Sequence, residues 1–160
     1  MSGAEQRSSA RLAAVQALYQ MEVADKGLND ILAEFEAHWI GQEVEGDQYK
    51  PAELAFFRAV VSGVQADQRA IDRQLDEALS QGWPLRRVEA LMRAILRAGL
   101  YELKVRADVP ARVAIKEYVD IAGAFFAREE SGMINAVLDA LARETRPKEF
   151  EAARQERDEG

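Results

Sequence analysis

The chain has 160 residues, of which 48% are hydrophobic and 31% are charged, and its formal net charge is -7 at pH 7. This length and composition fit one globular domain with a core of its own. The chain contains no cysteine, which excludes disulfides, thiolate metal ligands and thiol nucleophiles. Strong unaided binding to nucleic acid is disfavoured, because that affinity comes mostly from cations that neutralise phosphates. A nucleic-acid role therefore needs a local basic patch or a helper protein.

The first half of the chain predicts amphipathic helices, since its apolar residues recur with a 3.6-residue period. Two helices are expected over about 9–24 and 28–39. The polar, glycine-bearing segment 41–50 is typical of a loop. Pro51 then suits the first turn of a third helix, because its fixed φ is already helical.

The second half predicts further helices. Asp67 is a candidate N-cap for a fourth helix, and the Gly-Trp-Pro sequence after that helix predicts a break. Two central helices follow, and the last helix is expected over about 131–143 with Ser131 as its cap. We therefore expect an all-α fold, a compact bundle of about seven helices over residues 1–147, followed by a charged, flexible tail at 148–160.

The central segment 86–116 combines a core stripe with an excess of cations. It holds eight basic residues against three acidic ones. Its apolar residues recur every three to four positions, so one face can pack while the arginines lie largely off it. The residues expected to bind a partner here are Arg86, Arg93, Arg97 and Asp108. For Arg93 and Arg97 the alternative is pairing with local acids, including the glutamate four residues before Arg93.

The sequence shows no motif typical of catalysis, of metal binding or of membrane insertion. His38 is the single histidine, and the acids near it, Glu43, Glu45 and Asp47, lack EF-hand spacing. No P-loop, G-x-G-x-x-G or G-x-S-x-G motif occurs. No signal peptide is evident, and no apolar run approaches the roughly 20 residues that span a bilayer. We expect a cytoplasmic protein that is not an enzyme, with no metal, no cofactor and no membrane partner.

The N-terminal helix carries a candidate RNA contact. Arg7 and Arg11 lie four residues apart, hence on one helical face, and Tyr19 follows two turns further along. Arginines on phosphates and a tyrosine against a base would suit single-stranded RNA. The alternative is that both arginines are solvated and Tyr19 lies in the core.

Four segments in order closely resemble the bacterial transcription antitermination factor NusB family: ARLAAVQALYQ (10–20), ILRAGLYEL (95–103), DVPARVAIKEYVDIA (108–122) and INAVLDALARE (134–144). The resemblance covers roughly residues 7–146. It implies a helical adaptor that binds boxA RNA together with the small-subunit ribosomal protein NusE. It further implies that the pair joins an antitermination complex on RNA polymerase, notably on ribosomal RNA operons.

The resemblance also implies an RNA-binding set. The family's N-terminal basic residues map to Arg7 and Arg11, and its aromatic residue maps to Tyr19. A second strip maps to the turn before the last helix, and its residues are Arg128, Glu129, Ser131, Met133 and Asn135. Two serines, at positions 8 and 9, stand where relatives often carry more arginines, which predicts weaker RNA affinity.

Two alternatives stay open on the sequence. The sparse N-terminal arginines and the acidic balance allow a helical protein-interaction module with little RNA affinity of its own. The apolar face of the central segment 86–116 could also bind the same face of a second copy and form a homodimer. Salt-dependent RNA binding separates the interaction module from the RNA-binding adaptor.

Overall fold

The computed structural model describes residues 3–41, 51–79 and 84–151. All regular elements within these ranges are helices, which confirms the predicted all-α class. The seven α-helices are α1 (Gly3–Val23), α2 (Leu28–Gly41), α3 (Pro51–Ala66), α4 (Gln68–Ala78), α5 (Ala90–Val105), α6 (Ala111–Phe125) and α7 (Arg128–Thr145), and a 3-10 turn at Leu85–Arg87 precedes α5.

Helix α5 is the centre of the fold. It packs against α1, α3, α4, α6 and α7, and every residue from 94 to 103 is buried. A helix enclosed on all sides has no solvent face for its polar residues. The predicted division into an apolar stripe and an exposed basic face is therefore wrong for Arg97, which is buried together with Glu102.

Two glycines allow neighbouring helices to approach closely. A Cβ atom added at Gly63 of α3 would lie 2.2 Å from Cε2 of the Tyr101 ring on α5. A Cβ atom added at Gly99 of α5 would lie 2.9 Å from Cδ1 of Leu138 on α7. Because glycine has no side chain at these two positions, α5 can pack this closely against α3 and α7.

Several helix ends differ from the predicted ones. Helix α1 begins at Gly3, well before residue 9, and α7 begins at Arg128 with Ala127 as its N-cap. Ser131 therefore lies inside α7, where its Oγ donates to the Ala127 carbonyl at 3.4 Å. Asp67 precedes α4 as predicted but makes no side-chain cap; its carboxylate accepts a hydrogen bond from Lys104 at 2.7 Å. The predicted loop falls largely on residues 42–50, outside the described residues.

The segment after α7 returns to the body of the protein. Residues 147–151 are helical, and Glu149 accepts a hydrogen bond from the backbone N–H of Ala111 at 2.9 Å. Phe150 packs against the core and carries the guanidinium of Arg143 over its ring, 4.7 Å from the centroid. The expectation of a flexible tail from residue 148 fails for residues 148–151, and 152–160 lie outside the described residues.

Arg146 ties this segment to the connector between α5 and α6. Its guanidinium donates to the carbonyls of Glu102 at 2.9 Å, Leu103 at 3.0 Å and Arg106 at 2.7 Å, and also to the carbonyl of Val109. Carbonyls at the end of a helix lack partners within the helix, and a cation there is favourable. Arg146 therefore caps α5, a role that its position in the sequence did not reveal.

Candidate RNA-binding site

Arg11 lies inside the protein. Its side chain is 3% exposed, and its Nε and Nη2 donate to the two carboxylate oxygens of Glu102 at 2.8 and 3.0 Å. Burial by itself lowers the pKa of Arg11, but the hydrogen bond and the charge of Glu102 raise it above its ordinary value. Arg7 and Arg11 lie on one helical face, as predicted, since both guanidiniums approach the Phe56 ring. Arg11 nevertheless faces α5, and its donors are already engaged by Glu102.

A polar network extends from this pair to α6. Nη1 of Arg11 lies 3.6 Å from Oε1 of Glu117, and Ser8 Oγ donates to the same carboxylate at 2.9 Å. Tyr118 is fully buried beside the pair, and burial followed by the charge of Glu102 raises its pKa well above the ordinary value. The network joins α1, α5 and α6, so Arg11 positions α1 within the fold.

Arg7, one turn earlier, is partly open to solvent. Its side chain is 32% exposed, and its nitrogens lie 3.6 Å from Glu53 Oε2 and 3.9 Å from Asp108 Oδ2. Both distances exceed that of a hydrogen bond. Its guanidinium carbon lies 4.7 Å from the centroid of the buried Phe56 ring. Arg7 thus has donors available to an anionic ligand.

Tyr19 lies on the solvent side of α1. It is 37% exposed, which excludes the alternative in which it belongs to the core. Beside it is an open groove of about 550 Å³. The residues that line this groove, here called the Tyr19 groove, are Gln16, Tyr19, Gln20, Glu34, Phe35, His38, Leu91 and Phe125.

Phe125 and His38 are groove residues that the sequence reasoning missed. Phe125 ends α6 and is 47% exposed, yet it continues the spacing of the apolar residues that α6 buries. Periodicity alone therefore assigns it to the core. His38, the single histidine of the chain, is exposed near the end of α2 and was not predicted to bind RNA.

The second predicted RNA-binding strip forms the first two turns of α7, not the turn that precedes α7. Arg128, Glu129 and Asn135 are exposed, whereas Ser131 and Met133 are partly buried. Arg128 follows Phe125 by three residues in the chain and is not one of the residues that line the Tyr19 groove.

Glu129 and Met133 border a different groove, of about 600 Å³. The residues that line it, here called the Met133 groove, are Ala78, Leu79, Arg87, Val88, Glu89, Met92, Glu129, Glu130, Met133 and Val137. Two residues of the strip thus lie at a groove separate from the Tyr19 groove.

The four predicted partner-binding residues also fall into two groups, one paired within the protein and one exposed. Arg97 is buried and donates to both oxygens of Asp72 at 2.7 and 2.9 Å and to Glu22 at 3.1 Å. Burial lowers the pKa of Arg97, while Asp72 and then Glu22 raise it above its ordinary value. Arg93 pairs with the same Glu22 at 3.0 Å, not with Glu89.

Arg86 and Asp108 are exposed, whereas Arg93 and Arg97 connect α5 to α1 and α4.

Within the described residues, no group of histidine, aspartate and glutamate is arranged to hold a metal ion. None of the described helices is both long and apolar enough to cross a membrane.

The sequence matches the model of the NusB family over residues 8–143. The chain belongs to the NusB family. It is 65% identical over 147 residues to the transcription antitermination protein NusB of Bradyrhizobium diazoefficiens, with 92% of this chain and 89% of that one covered. It is 63% identical over 147 residues to the NusB of Nitrobacter hamburgensis, with 92% of each covered. The resemblance inferred from four segments is confirmed, and membership in this non-enzymatic family confirms that the chain is not an enzyme.

Solved NusB structures share the fold. The NusB of T. maritima superposes with a TM-score of 0.76 at 28% identity, covering 91% of this chain and 96% of that one. A chain from the crystal structure of the antitermination factors NusB and NusE in complex with dsRNA gives 0.71 at 18% identity, covering 87% and 97%. The second likeness shows the fold alone.

Proposed function

We propose that this NusB-family protein is an RNA-binding adaptor in transcription antitermination. It binds boxA RNA together with NusE, and the pair joins an antitermination complex on RNA polymerase, notably on ribosomal RNA operons. The observation that carries the proposal is the Tyr19 groove, where two aromatic rings that would ordinarily be buried stand open to solvent. Related NusB and NusE have been crystallised with dsRNA, which supports both partners.

The groove has the chemistry that unpaired bases require. Exposed aromatic rings stack on bases, and each such contact contributes about 1–3 kcal/mol. The amides of Gln16 and Gln20 and the imidazole of His38 line the same groove and can hydrogen-bond to base edges. Base contacts of this kind need few cations, which suits a chain of net charge -7.

Phosphate contacts fall to Arg7 and Arg128 in this proposal. Arg7 precedes Tyr19 by twelve residues of one helix, a separation of about 18 Å at 1.5 Å per residue. Arg128 is exposed at the start of α7, three residues after Phe125 in the chain. Arg11, which was assigned to phosphate, instead acts through the position of α1.

We infer that NusE binds at the Met133 groove. This is where Arg87, an exposed residue of the basic segment, borders apolar side chains from α4, α5 and α7. Arg86, the preceding residue, is also exposed but does not line the groove. Arg93 and Arg97 support this surface by holding the start of α5, and contribute no free charge to it. A homodimer stays a prediction and would compete with NusE for the same apolar residues.

The RNA contact is tested with Tyr19→Ala and Phe125→Ala. Each variant should weaken binding of a labelled boxA RNA in the presence of NusE by about 5-fold or more, since a stacking contact of 1 kcal/mol or above is lost. Fluorescence anisotropy gives the affinity, and thermal unfolding shows that the fold is intact. Val113→Ala, which also shortens an exposed apolar side chain, is the matched control. Affinity equal to that of the control would remove the groove from the RNA site.

The alternative function is a helical protein-interaction module with little RNA affinity. It is favoured by the internal pairing of Arg11, Arg93 and Arg97, because paired arginines release no counterions from RNA. This function would be supported, in place of the adaptor, if the protein bound NusE but left the electrophoretic mobility of boxA RNA unchanged.

A further inference from the structure

Three guanidinium groups surround one buried ring at the N-terminal end of α1. The guanidinium carbons of Arg7, Arg11 and Arg106 lie 4.7, 5.2 and 5.0 Å from the centroid of Phe56. Attraction to the ring face stabilises a cation there. The Phe56 ring therefore holds Arg7 and Arg106 side by side, although they are remote in the sequence.

The three cations differ in how they are neutralised. Arg11 is buried and fully engaged by Glu102. Arg7 and Arg106 are partly exposed and share one carboxylate oxygen, Oδ2 of Asp108, at 3.9 and 3.1 Å. Arg7 also lies 3.6 Å from the buried Glu53 carboxylate, so Asp108 is only one of its two acidic neighbours. Asp108 itself is 55% exposed, so the shared counter-ion faces solvent.

Arg106 retains further binding capacity. Its side chain is 26% exposed, although its Nε is buried and out of reach of a ligand from solvent. Its backbone is held firmly, because Arg146 donates to the Arg106 carbonyl at 2.7 Å and Val109 N–H donates to the same oxygen at 3.0 Å. A fixed backbone and a partly exposed guanidinium favour recognition of a further acceptor.

We propose that Arg7 and Arg106 form a site for one backbone phosphate of the RNA, and that Asp108 is an internal counter-ion that the phosphate displaces. The proposal rests on the RNA-binding function above. It assigns a role to Arg106, which was only counted in the basic segment 86–116, and a new role to Asp108, which was expected to bind a protein partner. Asp108 then lowers RNA affinity by competing for the two arginines.

The energetics favour the exchange of Asp108 for an RNA phosphate as the partner of the two arginines. An ion pair between exposed side chains stabilises a protein only weakly, and the pair of Arg106 with Asp108 spans only two positions of an exposed connector. A phosphate offers several strong acceptor oxygens, and guanidinium groups bind phosphate with paired hydrogen bonds. Two neighbouring guanidiniums can therefore engage one phosphate more fully than the single shared oxygen of Asp108.

The location also favours RNA over an acidic protein segment. Arg7 lies on α1, the helix that carries Tyr19, about 18 Å away along the helix axis. One RNA strand that follows α1 can therefore place a phosphate at Arg7 and a base at Tyr19. The Met133 groove, to which NusE is assigned, is lined by α4, α5 and α7, and not by α1 or the connector.

The test measures how the affinity for boxA RNA changes with salt for Arg106→Gln and Asp108→Asn. Each phosphate contact contributes about 0.7 to the slope of log affinity against log salt for a single strand. Arg106→Gln should lower the slope by about that amount and weaken binding several-fold at low salt. Asp108→Asn should tighten binding several-fold at low salt, because the competitor is removed.

The chain offers a matched control pair. Arg143 forms a local ion pair with Asp139 at 3.0 Å and lies over the Phe150 ring, as Arg106 does with Asp108 and Phe56. Arg143→Gln and Asp139→Asn should leave both affinity and slope unchanged. Thermal unfolding of all four variants confirms that they are folded.

The outcomes are separable. Failure of the unaltered protein to bind boxA RNA, with or without NusE, would overturn the proposed function and this site with it. Binding by the unaltered protein with an unchanged slope in Arg106→Gln would overturn the site alone. A loss of NusE affinity without RNA, with the RNA slope unchanged, would assign Arg7 and Arg106 to a protein carboxylate and also overturn the phosphate site.

Discussion

The role of an arginine in this protein is set by its acid partner. Arg11 and Glu102 are almost fully buried and doubly hydrogen-bonded, whereas Arg143 and Asp139 form a similar pair in solvent. Removing one member of a buried pair leaves an uncompensated charge in a medium of low polarity. The exposed pair loses little, because water replaces the partner.

Arg11→Ala should therefore lower the free energy of unfolding by about 3–5 kcal/mol. The exposed control, Arg143→Ala, should lower it by no more than about 1 kcal/mol. Urea unfolding followed by circular dichroism measures both. Equal losses of unfolding free energy in the two variants would show that the buried pair stabilises the fold no more than the exposed pair does.

A double variant separates the structural role of Arg11 from RNA contact. Arg11→Met with Glu102→Leu replaces the pair by apolar groups of similar volume, which often restores the stability that a single removal costs. It should keep the salt slope of RNA binding at the original value, since Arg11 reaches no phosphate in the proposed site. A slope lowered by about 0.7 would return Arg11 to the RNA contacts.

Helix α5 shows at the element scale what local sequence patterns can and cannot predict. Its 3.6-residue period correctly predicts a helix, because the pattern depends on near neighbours in the chain. The burial of Arg97 and Glu102 depends on acids and bases 25, 75 and 91 residues away. Such partners are brought together only by tertiary packing, so the sequence predicted exposed arginines instead.

The spacing of α3 and α5 gives a further prediction. Gly63→Ala should lower the free energy of unfolding by about 1–3 kcal/mol, because the new methyl group meets the Tyr101 ring. Gly132→Ala in α7, where nothing lies within 4 Å of the new Cβ, should raise it by up to about 1 kcal/mol through helix propensity. Thermal unfolding compares the two. A Gly63→Ala protein as stable as Gly132→Ala would contradict the close packing.

The candidate site could be anticipated only in part. Tyr19 was found from its position on the helix of Arg7 and Arg11 and again through the family resemblance, and its exposure confirms that it is not a core residue. Phe125 was missed because it continues an apolar period and escapes burial only where α6 ends. Arg106 was counted in the basic segment, but its place beside Arg7 depends on the Phe56 ring of α3, which no spacing within 86–116 reveals.

At the scale of the whole molecule, most arginines near the core pair with groups of the protein itself. Arg11, Arg93, Arg97 and Arg146 each bind acids or carbonyls of the protein itself. The surface therefore combines a net acidic balance with a few exposed arginines and one aromatic groove. Such a surface is expected to bind RNA weakly alone and to need a second protein for useful affinity.

The most direct measurement of the central claim is the fluorescence anisotropy of a labelled boxA RNA titrated with this protein alone and with NusE, beside a scrambled RNA. The account predicts weak binding by the protein alone, strengthened by NusE, and selective for boxA over the scrambled sequence. Equal binding of the two RNAs, or no RNA binding by a folded complex with NusE, would contradict it.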